Sequence, residues 1–180
     1  MRSSRLVAVA GALALAAGAA ACAGIRVNAY VQRGVDFADY RTYTWAPVEQ
    51  LATGDPRLDN NEFFQASVQA AVEKALTARG LEKVQPGPPD LVVHYHASVT
   101  QQVDVGGADE RYGSCDLCGP AVFDAGTLTL DLVDARTNRL VWRGWAERSI
   151  EGTIDNQQWL ERQIGDSVAR IFGKFPIGRL

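Results

Sequence analysis

Two stretches of the chain repeat apolar residues every three to four positions, which is the period of an amphipathic helix. The first begins near Asp59, which has capping-box spacing with Glu62, and stops at Gly80. The second begins near Asp155 and stops by Pro176. The apolar positions are Phe64, Val68, Ala71, Val72, Ala75 and Leu76 in the first stretch, and Leu160, Ile164, Val168, Ile171, Phe172 and Phe175 in the second. Each stretch predicts a helix with one buried face.

Other stretches alternate apolar and polar residues, which predicts strands with one buried face. Short strands are predicted at 25–31 and 42–45. A longer strand is predicted at 91–100, and its alternation turns His94 and His96 away from the apolar face.

The same alternation continues in 127–134 and 140–149, and the turn-forming stretch 135–138 between them predicts a hairpin. Gly144 indicates a bulge or a close approach of the backbone. Two amphipathic helices each need an apolar sheet face, and the simplest arrangement lays both on the same side of one sheet. We therefore predict an α+β two-layer sandwich, with a mainly antiparallel sheet and both helices on one face.

Length and composition fit a single packed domain. The 180 residues are 47% hydrophobic, which is enough for one core. The 18 Lys and Arg residues are outnumbered by 21 Asp and Glu residues, and no basic run exists that could follow a phosphate backbone. We expect one domain over 22–180 and no nucleic-acid partner.

The N-terminus has the pattern of a processing signal. Arg2 and Arg5 precede sixteen uncharged small or apolar residues, 6–21, which end at Cys22. This run is shorter than the about 20 apolar residues of a transmembrane helix. The arrangement resembles a bacterial lipoprotein signal peptide, in which residues 1–21 are removed and the cysteine thiol is lipidated.

Two neighbouring positions refine this prediction. Ala19 stands where such signals usually carry Leu, which leaves open an ordinary secretory signal with a coincidental cysteine. Ala23, rather than Asp, resembles the sorting pattern of outer-membrane lipoproteins. Because two or more acyl chains hold a protein stably on a bilayer, we expect a membrane anchor of palmitate-type chains on Cys22, with the domain facing the periplasm.

Four segments of the chain together resemble a known family. They are 35–45 (VDFADYRTYTW), 55–60 (DPRLDN), 89–96 (PDLVVHYH) and 126–146 (GTLTLDLVDARTNRLVWRGWA). In this order they resemble the DUF4136 family of bacterial lipoproteins over about 27–175. The resemblance implies a cell-envelope α+β domain and no assigned reaction or ligand.

Cys115 and Cys118 form the most chemically reactive motif. A thioredoxin-type pair opens a helix, whereas here Gly119 and Pro120 follow, which is a poor helix start. In an oxidising envelope the two cysteines are expected to form a disulfide that stiffens the 106–120 loop.

A sharper hypothesis combines these cysteines with the two histidines. His94 and His96 share a strand face, and a loop carrying Cys115 and Cys118 could close a tetrahedral site for Zn²⁺ or Cu⁺. The commoner position for such histidines is the polar, open face of a sheet.

Other motifs do not indicate catalysis. The Gly165-Asp166-Ser167 segment imitates part of a lipase motif, but it falls inside the last predicted helix, where no strand-to-helix elbow exists. Aromatic rings of this size usually pack in cores, and we expect this of Trp45, Trp142, Trp145 and Trp159.

These observations favour a non-enzymatic cell-envelope lipoprotein without a cofactor. We expect it to bind another envelope component, or to reinforce an assembly, through the open sheet face and the 106–120 loop. The alternative is an envelope metal-binding or thiol-active protein that uses His94, His96, Cys115 and Cys118.

Overall fold

The computed structural model describes residues 24–47, 52–84, 87–104 and 121–176. The elements follow in the order β1 (Arg26–Val31), a 3₁₀ turn (Phe37–Asp39), β2 (Thr42–Trp45), α1 (Glu62–Thr77), β3 (Glu82–Lys83), β4 (Leu91–Asp104), β5 (Ala121–Asp134), β6 (Arg139–Ser149) and α2 (Gln157–Phe172). The predicted mixture of one sheet and two helices is confirmed. Neither helix in this described part of the chain is long and apolar enough to cross a membrane.

The six strands form one sheet in the order β1-β6-β5-β4-β2-β3. The pairings β1–β6, β6–β5 and β5–β4 are antiparallel, whereas β2 lies parallel to both β4 and β3. The sheet is therefore mixed, with an antiparallel part made of the long strands and a parallel edge. Strand β2 is parallel to β4 because α1 lies between them in the sequence. The helix returns the chain to the end of the sheet at which β2 began.

Both helices contact the sheet through aromatic rings. Phe64 of α1 lies edge-on to Tyr95 of β4, with ring centroids 6.5 Å apart. Phe172 of α2 stacks on Trp142 of β6 at 5.4 Å. The strand register places Tyr95 and Trp142 on the same face of the sheet. We call it the covered face.

The residues that alternate with these positions belong to the other face, which we call the open face. In its centre lie Asn28, Tyr30, His94, His96, Thr129, Asp131, Arg143 and Trp145.

The helix starts differ from the predicted ones. Asn61 caps α1 by accepting a hydrogen bond from the backbone N of Phe64, and Asn156 caps α2 in the same way. Asp59 instead accepts a hydrogen bond from the backbone N of Thr53 at 2.7 Å. Several residues near each start are able to cap a helix, and tertiary contacts decide which of them does so.

Of the two alternatives predicted for Gly144, a bulge or a close approach of the backbone, the structure shows the close approach. A Cβ at this position would lie 2.5 Å from Ile171 of α2 and 2.5 Å from the ring of Trp142. The bulge in β5 and β6 lies elsewhere, between Leu132 and Val133. Gly144 therefore allows α2 to pack directly on the sheet.

Candidate functional site

Three residues predicted to carry chemistry, Cys22, Cys115 and Cys118, lie outside the described residues. Lipidation, the disulfide and the cysteine half of the metal site therefore stay predictions. The described candidates, His94 and His96, lie on β4 and belong to the open face, as the alternation predicted. Both are partly buried.

One cross-strand row on the open face runs through His94. The register places His94 beside Asp131 of β5, and it places Arg143 of β6 between Asp131 and Tyr30 of β1. Nε and Nη2 of Arg143 donate to the two carboxylate oxygens of Asp131 at 2.6 and 2.5 Å, and these hydrogen bonds raise the pKa of Arg143. Asp131 is only 5% exposed. The guanidinium fork thus neutralises a buried carboxylate.

A second row lies beside the first. His96 pairs with Thr129, Thr129 with Trp145, and Trp145 with Asn28. Together with Tyr30, which is 45% exposed, this row adds aromatic, imidazole and amide groups to the open face. Because the carboxylate and the guanidinium of the first row bind each other, the two rows present an almost uncharged surface.

The space beside the histidines is small. A recess of about 20 Å³ lies between β4, the end of β2 and Gln69 of α1, and His94 and His96 both line it. A recess of this size holds about one water molecule. The histidines are therefore placed to contact a partner at the surface rather than to enclose a substrate.

Chain length limits Cys118 as a metal ligand beside the two histidines. His96 pairs with Thr129, which lies eight residues beyond Ala121 on β5, a strand distance of about 26 Å. Cys118 precedes Ala121 by three residues, which span at most about 11 Å. A site shared by Cys118 and His96 would need to bridge roughly 15 Å between the two backbones. Cys115, six residues before Ala121, has about twice this reach of chain and is not limited in the same way. No cluster of three or more metal-ligating side chains exists within the described residues.

The lipase-like segment lies on α2. Asp166 binds Arg148 and Arg170, and Ser167 is buried between the helix and the covered face. His94 and His96 are on the opposite side of the sheet. These residues therefore do not form a Ser-His-Asp triad.

The sequence did not predict the structural role of the buried carboxylates in the four segments that resemble the family. Asp134 ends β5, where its Oδ1 accepts hydrogen bonds from the backbone N atoms of Arg136 (2.9 Å) and Thr137 (2.8 Å). Its Oδ2 accepts one from the Tyr40 hydroxyl at 3.0 Å. Burial raises the pKa of Asp134, but these hydrogen bonds outweigh it and the net pKa is lowered. Burial, followed by the bond to Asp134, raises the pKa of Tyr40 to about 12.

Asp90 joins β2 to the start of β4 in a similar way. Its Oδ2 accepts hydrogen bonds from the backbone N of Arg41 (2.9 Å) and from the backbone N and the hydroxyl of Thr42 (both 3.0 Å). The bond from Arg41 is the largest cause of a lowered pKa at Asp90. The hydrogen bonds from Arg57 likewise lower the pKa of Asp55. Asp55, Asp90 and Asp134 therefore stabilise the turns and strand ends through hydrogen bonds. Their positions at a strand end or turn were the sequence signal for this role.

The tryptophans divide between the two sides. Trp142 is fully buried, and Trp45 packs edge-on against Tyr95 while its Nε1 donates to Glu73 at 2.9 Å. Trp159 is 40% exposed on α2. The prediction of core packing is confirmed for Trp142 and Trp45. It is wrong for Trp145, which belongs to the open face, and for Trp159, because neither ring is part of the core.

The fold defines the class: an α+β domain in which one sheet carries two helices and buried carboxylates anchor the strand ends and turns. The chain belongs to the DUF4136 family, described as a domain of unknown function, because the family model matches residues 27–177. No curated protein sequence matches the chain.

Solved structures show similarity in fold. A PDZ domain protein from Parabacteroides distasonis is 17% identical, with a TM-score of 0.58 over 87% of this chain and 37% of that chain. A PelC dodecamer from Paraburkholderia phytofirmans is 12% identical, with a TM-score of 0.48 over 87% of this chain and 100% of that chain. A putative neuraminyllactose-binding hemagglutinin homolog from Helicobacter pylori is 13% identical, with a TM-score of 0.42 over 77% and 84%. The chain thus spans little more than a third of the PDZ domain protein, and that similarity concerns the fold alone.

Proposed function

We propose that this protein is a non-catalytic lipoprotein of the cell envelope, anchored in the outer membrane by acyl chains on Cys22, which binds another envelope protein through its open face. The observation that carries this proposal is the open face itself. Its two rows combine two aromatic side chains with polar groups, and their ion pair is already satisfied internally. An almost uncharged, aromatic-bearing surface, beside which the described residues form a recess of only about 20 Å³, suits contact with a protein better than turnover of a small molecule.

The position of the anchor supports this arrangement. Gly24 follows Cys22 by two residues, which is at most about 7 Å of chain. Arg26 begins β1 and donates to Gln102 near the end of β4 at 3.0 Å. A lipid on Cys22 would therefore hold this end of the sheet, which we call the anchor end, at the membrane.

Two exposed apolar side chains also lie at the anchor end. Val103 and Val122 pair across β4 and β5 and are 55% and 58% exposed. Apolar side chains at this position suit the boundary between headgroups and acyl chains. His94 lies ten residues before Asp104 on β4, about 33 Å along the strand. The two rows through His94 and His96 would stand clear of the membrane. The 106–120 loop, which we expected to take part in binding, lies outside the described residues.

The anchor is tested by the mass of the mature protein extracted from membranes. We expect a polypeptide that begins at Cys22 and carries acyl chains, and we expect Cys22→Ser to abolish both the cleavage and the added mass. A mature protein that begins at another residue and lacks acyl chains would contradict the anchor.

The binding surface is tested by photocrosslinking in intact cells. A photoreactive residue at Thr129, in the second row of the open face, should give discrete adducts with one envelope protein. The matched control is the same residue at Arg162, which is exposed on α2. Adducts that are identical from both positions, or absent from Thr129 alone, would refute the open face as the binding surface.

A further inference from the structure

A small cavity lies on the covered side of the sheet, between α2 and strands β4 to β6. Its volume is about 70 Å³ and it is partly open to solvent. Its walls are almost wholly apolar and include Ala97, Leu128, Ala146, Ile154, Leu160 and Ile164. Such walls favour an apolar group.

Arg148 of β6 is the charged residue among those described as lining this cavity. Its side chain is 17% exposed, and its Nε is buried with no hydrogen-bond partner among the described residues. Nη1 donates to Asp166 of α2 at 3.2 Å. The edge of the guanidinium that contains Nε is therefore left for another acceptor, and a buried donor without one is destabilising.

The charges around Arg148 leave an excess of positive charge on the α2 side. Asp166 is shared, because it also accepts a hydrogen bond from Nε of Arg170 at 2.9 Å. Glu147, the preceding residue on β6, forms an ion pair with β1 on the open face. Glu151 is exposed and lines a separate recess together with Arg148. Two guanidinium groups for one carboxylate on the α2 side can accept a second anion.

We propose that this cavity binds a small carboxylate, whose apolar group fills the cavity and whose oxygens accept hydrogen bonds from Arg148. A carboxylate fits because its two oxygens match two neighbouring guanidinium donors in one plane. The size of the apolar group follows from the volume. An engineered cavity of about 150 Å³ holds benzene, so this one accommodates about three or four carbon atoms. The site lies across the sheet from the open face and does not depend on the lipid anchor.

The probe is 3-methylbutanoate, which carries a branched group of this size, and its matched control is the uncharged 3-methylbutanamide. Binding to the mature full chain is followed by methyl NMR at Leu128, Leu160 and Ile164. We expect saturable chemical-shift changes at these methyl groups, with a dissociation constant of about 1 mM. We expect the amide to bind at least about tenfold more weakly, because it lacks the charge.

Two kinds of variant test the two halves of the site. Arg148→Met should weaken binding about tenfold or more, and Arg148→Lys should weaken it less, since lysine keeps the charge and loses the planar fork. Ala97→Leu should abolish binding by filling the cavity. Arg139→Met, at an exposed position on the same strand, is the control and should bind as the unchanged chain does. The NMR spectrum of each variant shows whether it is folded, and Arg148→Lys retains the ion pair to Asp166 if Arg148→Met does not fold.

A free acid and the C-terminal residue of a peptide share this chemistry. Tighter binding of acetyl-alanyl-leucine than of 3-methylbutanoate would identify a peptide C-terminus as the source, and the reverse order would identify a free acid. Equal binding of the acid and the amide, unchanged binding by folded Arg148→Lys, or no methyl shift at about 10 mM acid would overturn the proposal.

Discussion

The two faces of the sheet are made from the same strands and are stabilised differently. On the covered face, Leu130, Leu132 and Trp142 are fully buried under the helices. On the open face, Asp131 is buried by its ion pair with Arg143 while much of the surface remains accessible. The covered face gains stability from the removal of apolar area from water. The open face keeps its shape through paired polar groups and gains little from burial.

This difference separates stability from function along each strand. A substitution of a buried residue on the covered face should affect folding, while a substitution of an exposed neighbour on the open face should mainly change the accessible surface. Four experiments would break or sharpen this comparison.

The largest effect is expected from the tryptophans of β6, which lie three residues apart on opposite faces. Trp142→Ala should lower the free energy of unfolding by about 3–5 kcal/mol, because it leaves a cavity beneath Phe172. Trp145→Ala is the matched control and should cost about 1 kcal/mol or less. Urea unfolding followed by circular dichroism measures both values. Equal losses would show that the open face is also part of the core.

The second experiment asks whether apolar contacts alone hold the covered side. Asp55, Asp90 and Asp134 have pKa values below their ordinary 3.8 in the folded protein. Their contribution to stability is therefore complete above about pH 4 and is lost as the pH falls through the lowered folded-state pKa values. We expect the free energy of unfolding to decline below pH 4, and Asp134→Asn to cost about 1–3 kcal/mol at pH 7 and to flatten that decline.

The control for this experiment is Asp39→Asn, at an exposed position in the 3₁₀ turn. This variant should follow the unchanged chain at every pH. A decline that is the same with and without Asp134 would mean that this carboxylate does not stabilise the hairpin end.

An effect of similar size is expected where α2 approaches the sheet. Gly144→Ala places a Cβ 2.5 Å from Ile171, so α2 or the ring of Trp142 has to shift, at a cost of about 1–3 kcal/mol. Gly165→Ala is the matched control within α2. Its Cβ would meet no atom within 4 Å, and it should raise the free energy of unfolding by about 0.5–1 kcal/mol. Thermal unfolding of both variants distinguishes close packing from a general intolerance of alanine.

The smallest effect is expected on the open face, near the anchor end. Arg26 and Glu147 form an exposed ion pair, in which the arginine side chain is 72% exposed. Arg26→Gln should change the free energy of unfolding by less than about 1 kcal/mol, and the difference should shrink in high salt. A larger loss that is independent of salt would show that this part of the open face carries the fold.

Local periodicity accounts for most of what could be predicted from the sequence. The apolar spacing in α1 and α2 and the alternation in β4 to β6 depend on residues a few positions apart, so the helices, the hairpin and the outward direction of His94 and His96 follow from the sequence. Strand β5 begins at Ala121, six residues before the predicted start at 127.

Contacts between distant residues could not be predicted in this way. Tyr40 and Asp134 are 94 residues apart, and Arg143 meets Asp131 only because of the hairpin register. Shifting a strand by one residue would exchange its two faces. No local sequence pattern predicts which strands are neighbours in the sheet.

The sequence by itself determined the repeat of buried positions and the two helices, and it predicted lipidation at Cys22, since each of these depends on neighbouring residues. The family also followed from the sequence, because its four segments occur in order along the chain. Only the tertiary structure decided that β2 lies parallel to β4, which carboxylates anchor the turns, and that the Nε of Arg148 is buried beside an apolar cavity. The physical reason is that these features arise when segments far apart in the chain are packed together, and the packing energy depends on the whole fold.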